Sequence, residues 1–140
     1  MPHEFFDHQA DVGIIGSGKS YEQAFQEAAK AMFKVMCDIT KVKPTKSISI
    51  EAEASDRAAL FIEWLNALLA QKDIEDMLFG SFKITISKTK SGYKLIGTAK
   101  GEKLSPSKHR VQTEVKAATY AQLKVWKEKD LYKTRCVVDV

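Results

Sequence analysis

The feature that most limits the folds open to this chain is a change in the spacing of its apolar residues. From Ser20 to Leu69 two segments repeat them at helical intervals, while from residue 80 onward they fall on alternate positions. In the first segment Tyr21, Ala24, Phe25, Ala28, Met32, Val35 and Met36 line one face, Ser20 is placed to cap it, and Gln23 reaches back in the manner of a capping box. This predicts a helix ending near Cys37 or Asp38. In the second, Leu60, Phe61, Trp64, Leu65, Leu68 and Leu69 form a broad apolar stripe, with Ser55 as the expected cap.

Between the helices, after a Lys-rich connection containing Pro44, KSISIEAEA alternates Ile48, Ile50 and Ala52 with polar residues, as a strand with one buried face does. GSFKITISK, the turn KTKSG and YKLIGTAKG read as a hairpin. From Val111 to Val125 apolar residues and threonines hold the odd positions, predicting one long or bent strand. KEKD then turns the chain into a last strand, LYKTRCVVDV. Two helices and a run of strands suggest an α+β fold: a two-layer domain with a largely antiparallel or mixed sheet packed by two main helices.

With 140 residues and 44% hydrophobic content, the chain can fill one core but hardly two, so residues 1–140 are read as a single domain. The net charge of +4 is compatible with an acidic or RNA-associated partner without specifying one. The most apolar helical run, ALFIEWLNALLA, is broken by Glu63 and Asn66, and no basic leader precedes an apolar core, so a soluble cytoplasmic protein with no membrane partner is expected. Cys37 and Cys136 lack metal-site spacing and are expected as buried free thiols.

Gly13 to Ser20, GIIGSGKS, satisfies the P-loop pattern, leads into a capped helix, and has a distant echo of a magnesium-holding strand in CVVDV. A P-loop, however, follows a buried parallel strand, and the preceding DHQADV is polar. Nucleotide binding is therefore not assigned: the glycines are read as bends before the helix, and Lys19 as a solvated turn lysine.

Asp7, His8 and Asp11 lie within five residues, and Asp139 stands beside the α-carboxylate of Val140. If the fold joined these ends, each close pair of carboxylates would repel by about 1–4 kcal/mol in partly screened surroundings unless a cation lay between them. Ca²⁺ or Mg²⁺ accepts such oxygen ligands. The same aspartates equally fit caps and Asx-turns, His8 fits a hydrogen-bonded turn residue, and Lys116 beside Glu114 fits a surface ion pair. Trp64 and Trp126 are read as packing residues, because no aromatic cluster interleaves with basic residues as RNA-binding modules require. No spaced nucleophile, base and orienter is evident.

Taken together, FFDHQADVGI, YEQAFQEAAKAMFKVMCD, IEWLNALL, TEVKAATYAQLKV and RCVVDV, in that order over nearly the whole chain, resemble the archease family. The resemblance implies a non-catalytic accessory protein that activates the GTP-dependent RNA-splicing ligase joining tRNA exon halves. It would speed guanylylation of the ligase histidine and support multiple turnover, with a chaperone-like character. The ligase would hold the GTP, the exon halves would be indirect partners, and DNA would not be one. The resemblance also implies a divalent cation, Ca²⁺ with Mg²⁺ or Mn²⁺ as alternatives, on Asp11, Asp139 and the carboxylate of Val140. Lys116 matches a functionally needed lysine, and Asp7 and His8 join it as candidates for ligase activation. Gln9 stands where the family usually has Thr, Cys136 where it has an aliphatic residue, and GSGKS replaces a turn that is often acidic or neutral. Two other readings are a small P-loop enzyme using Gly13–Ser20 and a metal-dependent phosphohydrolase built on DHQAD.

Overall fold

The computed structural model describes residues 3–8 and 11–140, with residues 6–8 described by their backbone alone. In chain order the elements are β1 (His3–His8), β2 (Asp11–Gly18), α1 (Tyr21–Met36), β3 (Lys46–Ala54), α2 (Arg57–Glu75), β4 (Met77–Lys88), β5 (Tyr93–Lys103), the single turn α3 (Pro106–His109), β6 (Ala117–Glu128) and β7 (Leu131–Asp139). The expected α+β class holds. The strands divide into two sheets, ordered β1-β2-β7-β6 and β3-β5-β4, and every pairing described is antiparallel.

Both helices begin as their sequences ask. Ser20 accepts the Gln23 amide at 3.1 Å, and the Gln23 side chain accepts the Lys19 amide at 2.6 Å, one residue earlier than an ideal capping box. The cap of α2 is Asp56, not Ser55: its carboxylate accepts the Ala59 amide at 2.8 Å, and a negative charge there also suits the helix dipole. α1 packs on β2, β7 and β4, while α2 packs on β3, β5 and β6, so each helix touches both sheets. One continuous core results, with Phe25, Phe33, Phe61, Trp64 and Phe79 fully buried. The Trp64 indole N–H donates to the Phe25 carbonyl at 3.0 Å, which joins the helices and satisfies a buried donor.

The structure also corrects three expectations about the strands. GIIGSG is not a series of bends but the strand β2, with no glycine at positive φ among the described residues. Gly16 is needed for closeness: a Cβ there would run into the Ala24 carbonyl oxygen and the Ala28 amide of α1. β4 starts at Met77 instead of Gly80, because Met77, Leu78 and Phe79 are all buried and a run without alternation hides its period. The register shifts between Phe79 and Ser81, so Gly80 is a bulge after which alternation resumes.

The third correction concerns residues 111–125. Residues 111–116 form no strand; they descend from α3 as an irregular segment that ties the Gln112 amide to the Met36 carbonyl at 3.0 Å. β6 begins at Ala117 and is itself interrupted between Thr119 and Lys124, where Gln122 adopts φ 53°.

Candidate functional site

The strand register gathers the sequence-predicted acidic residues at one end of the four-stranded sheet. His8 pairs with Asp11, Asp11 with Asp139, and Asp139 with Ala117, forming one row across β1, β2, β7 and β6. Residues directly opposite in antiparallel strands project to the same face, so Asp11 and Asp139 share the face turned away from the helices. Val12 and Val138, one step on, turn inward and anchor the row in the core. Val140 follows with its side chain packed on the same core, which holds the α-carboxylate next to Asp139.

Lys116 reaches this end through the backbone: its amide donates to the Asp139 carbonyl at 2.8 Å, while its side chain is exposed. Val115 beside it is buried and fixes the turn into β6. Asp7 pairs with Val12 in register, and its side chain and that of His8 lie outside the described residues, as do Gln9 and Ala10 entirely. Among the described residues no group of three or more His, Cys, Asp and Glu side chains gathers into a metal cage. The register sets the two aspartates directly opposite each other, and the α-carboxylate of Val140 follows Asp139 by one residue; carboxylate oxygens are the ligand type that hard divalent cations accept.

A residue that the apolar pattern concealed fastens this corner. Asn66 of α2 donates through Nδ2 to the Ala118 carbonyl at 3.1 Å and accepts the Ala118 amide on Oδ1 at 2.9 Å. Its carboxamide thus behaves as a short strand against the edge of β6. The available signal was a polar residue within an apolar helical run, where a buried amide must find partners.

The segment that leads to Lys116 is anchored by a second polar cluster. His109 is fully buried; its Nδ1 accepts the Ser105 amide at 2.9 Å, leaving Nε2 to donate to Glu102 at 2.9 Å. The hydrogen bond from His109, with others from the Lys43 amide and Lys108, holds the Glu102 carboxyl at about 2. Burial raises the thiols of Cys37 and Cys136, to about 11 and about 12, so both are protonated and inert near neutrality.

Gly13–Gly18 lies within an extended strand paired on both sides to antiparallel neighbours, so it forms no phosphate-cradling loop. Trp64 is the packing residue expected. Trp126 is not: it lies on the outward face of β6, with the Lys124 ammonium 4.7 Å and the Arg135 guanidinium 5.7 Å from its ring centroid.

A profile of the Archease protein family (MTH1598/TM1083) matches residues 3–140. The chain belongs to the archease family. A protein archease from Sulfolobus acidocaldarius is 42% identical over 137 residues, covering 98% of this chain and 97% of the relative. One from Methanopyrus kandleri is 36% identical over the full length of both. The solution structure of Methanobacterium thermoautotrophicum Protein 1598 superposes with a TM-score of 0.88 at 37% identity over 99% of each chain. The crystal structure of a Thermotoga maritima archease, described as a possible chaperone, shares the fold with a TM-score of 0.59 at 21% identity, covering 96% of this chain and 94% of that one. Among the described residues, no helix of this archease-family chain is long and apolar enough to cross a membrane.

Proposed function

We propose that this chain is a non-catalytic activator of a GTP-dependent RNA-splicing ligase, acting through a divalent cation held by Asp11, Asp139 and the Val140 carboxylate. The reading rests on membership of the archease family and is carried by one observation, the register that sets Asp11 opposite Asp139 with Lys116 bonded to the Asp139 backbone. Asp11 and Asp139 present carboxylate oxygens from neighbouring strands, so their separation is fixed by the sheet rather than by a loop. When bound, the cation supplies a compact positive charge able to meet phosphate oxygens. Lys116 adds a side-chain ammonium beside this rim, and Asn66 keeps its strand seated. Asp7 and His8 belong to the strand that forms the other flank. Ca²⁺ is the first candidate, with Mg²⁺ and Mn²⁺ next.

An acidic, metal-bearing tip suits insertion toward a partner's nucleotide site, where it would order metal or triphosphate during guanylylation. tRNA exon halves would then be met through the ligase, in the cytoplasm. The test is the guanylylation rate of a cognate ligase with GTP and divalent metal, with and without substoichiometric amounts of this chain. Acceleration that disappears in a folded Asp139→Ala variant supports the mechanism; acceleration unchanged in that variant sinks it.

A further inference from the structure

The β6–β7 hairpin, away from the acidic end, carries a surface that the ligase reading does not use. Lys124 pairs with Arg135 and Trp126 with Lys133, so the four side chains occupy one block on the outward face of the sheet. An indole there sits among three cations. It is not a core residue: Val125 packs against the core, whereas Trp126 projects the other way, half-buried under the side chains of its neighbours, and lies outside the core cluster. Arg135 is braced by its Nε–H donating to the Gln122 carbonyl at 3.0 Å, and Lys133 is paired with Glu128 at 2.9 Å. Lys124 is exposed and covers the ring on a flexible stem. The segment 124–135 bears five Lys and Arg against two acids, so most of the chain's positive excess is concentrated there.

We propose that this face is a binding site for single-stranded RNA, with Trp126 as the stacking surface and Lys124, Lys133 and Arg135 as phosphate contacts. Every base offers a π-face to an indole, and cations spaced around the ring meet the backbone on either side of the stacked base. Lys124 gives up the ring to the base and turns to a phosphate. An acidic protein surface would use the cations but leave the indole without a role, and a duplex keeps its bases stacked out of reach. Along β7, Arg135 and Asp139 lie on the same face about 13 Å apart at a strand's rise per residue, so RNA on the platform would run toward the acidic end.

Intrinsic fluorescence tests the proposal without any ligase, so its failure would leave the ligase reading standing. Trp64 is fully buried, which makes Trp126 the reporter that a ligand can reach. Titration of the whole chain with a short oligouridylate at low salt should quench the emission saturably. Affinity should fall with salt at a log–log slope of about −2 for three phosphate contacts, and Lys124→Gln should reduce that slope by about 0.7. By anisotropy of labelled RNA, Trp126→Leu should bind about tenfold more weakly or worse while Trp126→Phe keeps most affinity. Trp64 emission and the melting temperature report that the Leu variant is folded. The proposal is overturned by an absent quench, by a folded Trp126→Leu variant that binds as well as the parent, by equal affinity for duplex RNA, or by equally effective competition from polyglutamate.

Discussion

Asn66 and Ala118, 52 residues apart in the chain, exchange two hydrogen bonds of 3.1 and 2.9 Å between one carboxamide and one peptide unit. The exchange caps the exposed edge of β6 beside the residue that pairs with Asp139. Asn66→Ala would leave both backbone groups of a nearly buried residue without these partners, at a cost of about 2–3 kcal/mol. Hydrogen exchange at the Ala118 amide should speed up, and thermal unfolding should begin several degrees lower. Unchanged protection at Ala118 would show that β6 is held by β7 alone.

The pair Asp11 and Asp139 makes opposite predictions with and without metal. Like charges directly opposite on adjacent strands destabilise by about 0.2–1 kcal/mol, so Asp139→Asn in chelator should be as stable as the parent or slightly more stable. With Ca²⁺ at about one hundred times its dissociation constant, the parent should gain about 2.7 kcal/mol and the variant much less. Melting curves in chelator and in Ca²⁺, Mg²⁺ or Mn²⁺ check both arms and rank the ions. An equal gain in parent and variant would place the cation elsewhere.

Acid should loosen the segment leading to Lys116. Glu102 has its folded value lowered to about 2 from an ordinary 4.5, chiefly by the His109 hydrogen bond. A depressed carboxyl favours the folded state fully above the unfolded value and loses that contribution as pH falls from about 4.5 toward 2. Stability of the parent should therefore drop across that window, and Glu102→Gln should flatten the drop while lowering stability at pH 7. Denaturant midpoints at several pH values measure both effects.

Gly16→Ala should be costly although alanine is the smallest change available. The added methyl would overlap the backbone of α1 at Ala24 and Ala28, so the helix must move off the sheet. Overpacking of this kind costs about 1–3 kcal/mol. Thr134 would register the shift, because its hydroxyl lies 3.4 Å from both the Gly16 and the Ala24 carbonyls. A chemical-shift change at Thr134 with a lowered denaturant midpoint is the expected result; an unchanged midpoint would mean that the contact relaxes freely.

What could be read from the chain depended on whether a signal was local. α1, α2 and the β4–β5 hairpin announced themselves because each carries its own period, cap or turn. β2 did not, since its glycines mimic a loop and its identity comes from partners at both ends of the chain. The stretch from Val111 to Lys116 misled for the opposite reason, with alternation present but no partner strand alongside. At the candidate site, Asp11 and Asp139 were legible as chemistry, but their juxtaposition follows from a register that composition does not encode. Asn66 showed in the sequence only as a break in an apolar run, and its partner Ala118 lies 52 residues away; Trp126 was taken for a core residue because an indole usually packs inside, although it falls on the polar side of its strand's alternation among lysines.

The strand order has a kinetic consequence. β7 occupies the middle of its sheet, between β2 and β6, so the earliest long strand must wait for the latest; Gly16 meets Thr134 across 118 residues. The β4–β5 hairpin closes over a short turn and can form early, whereas the four-stranded sheet requires closure of nearly the entire chain. Refolding should thus show the two sheets maturing at different rates, with the row that aligns Asp11 and Asp139 among the last structures to appear.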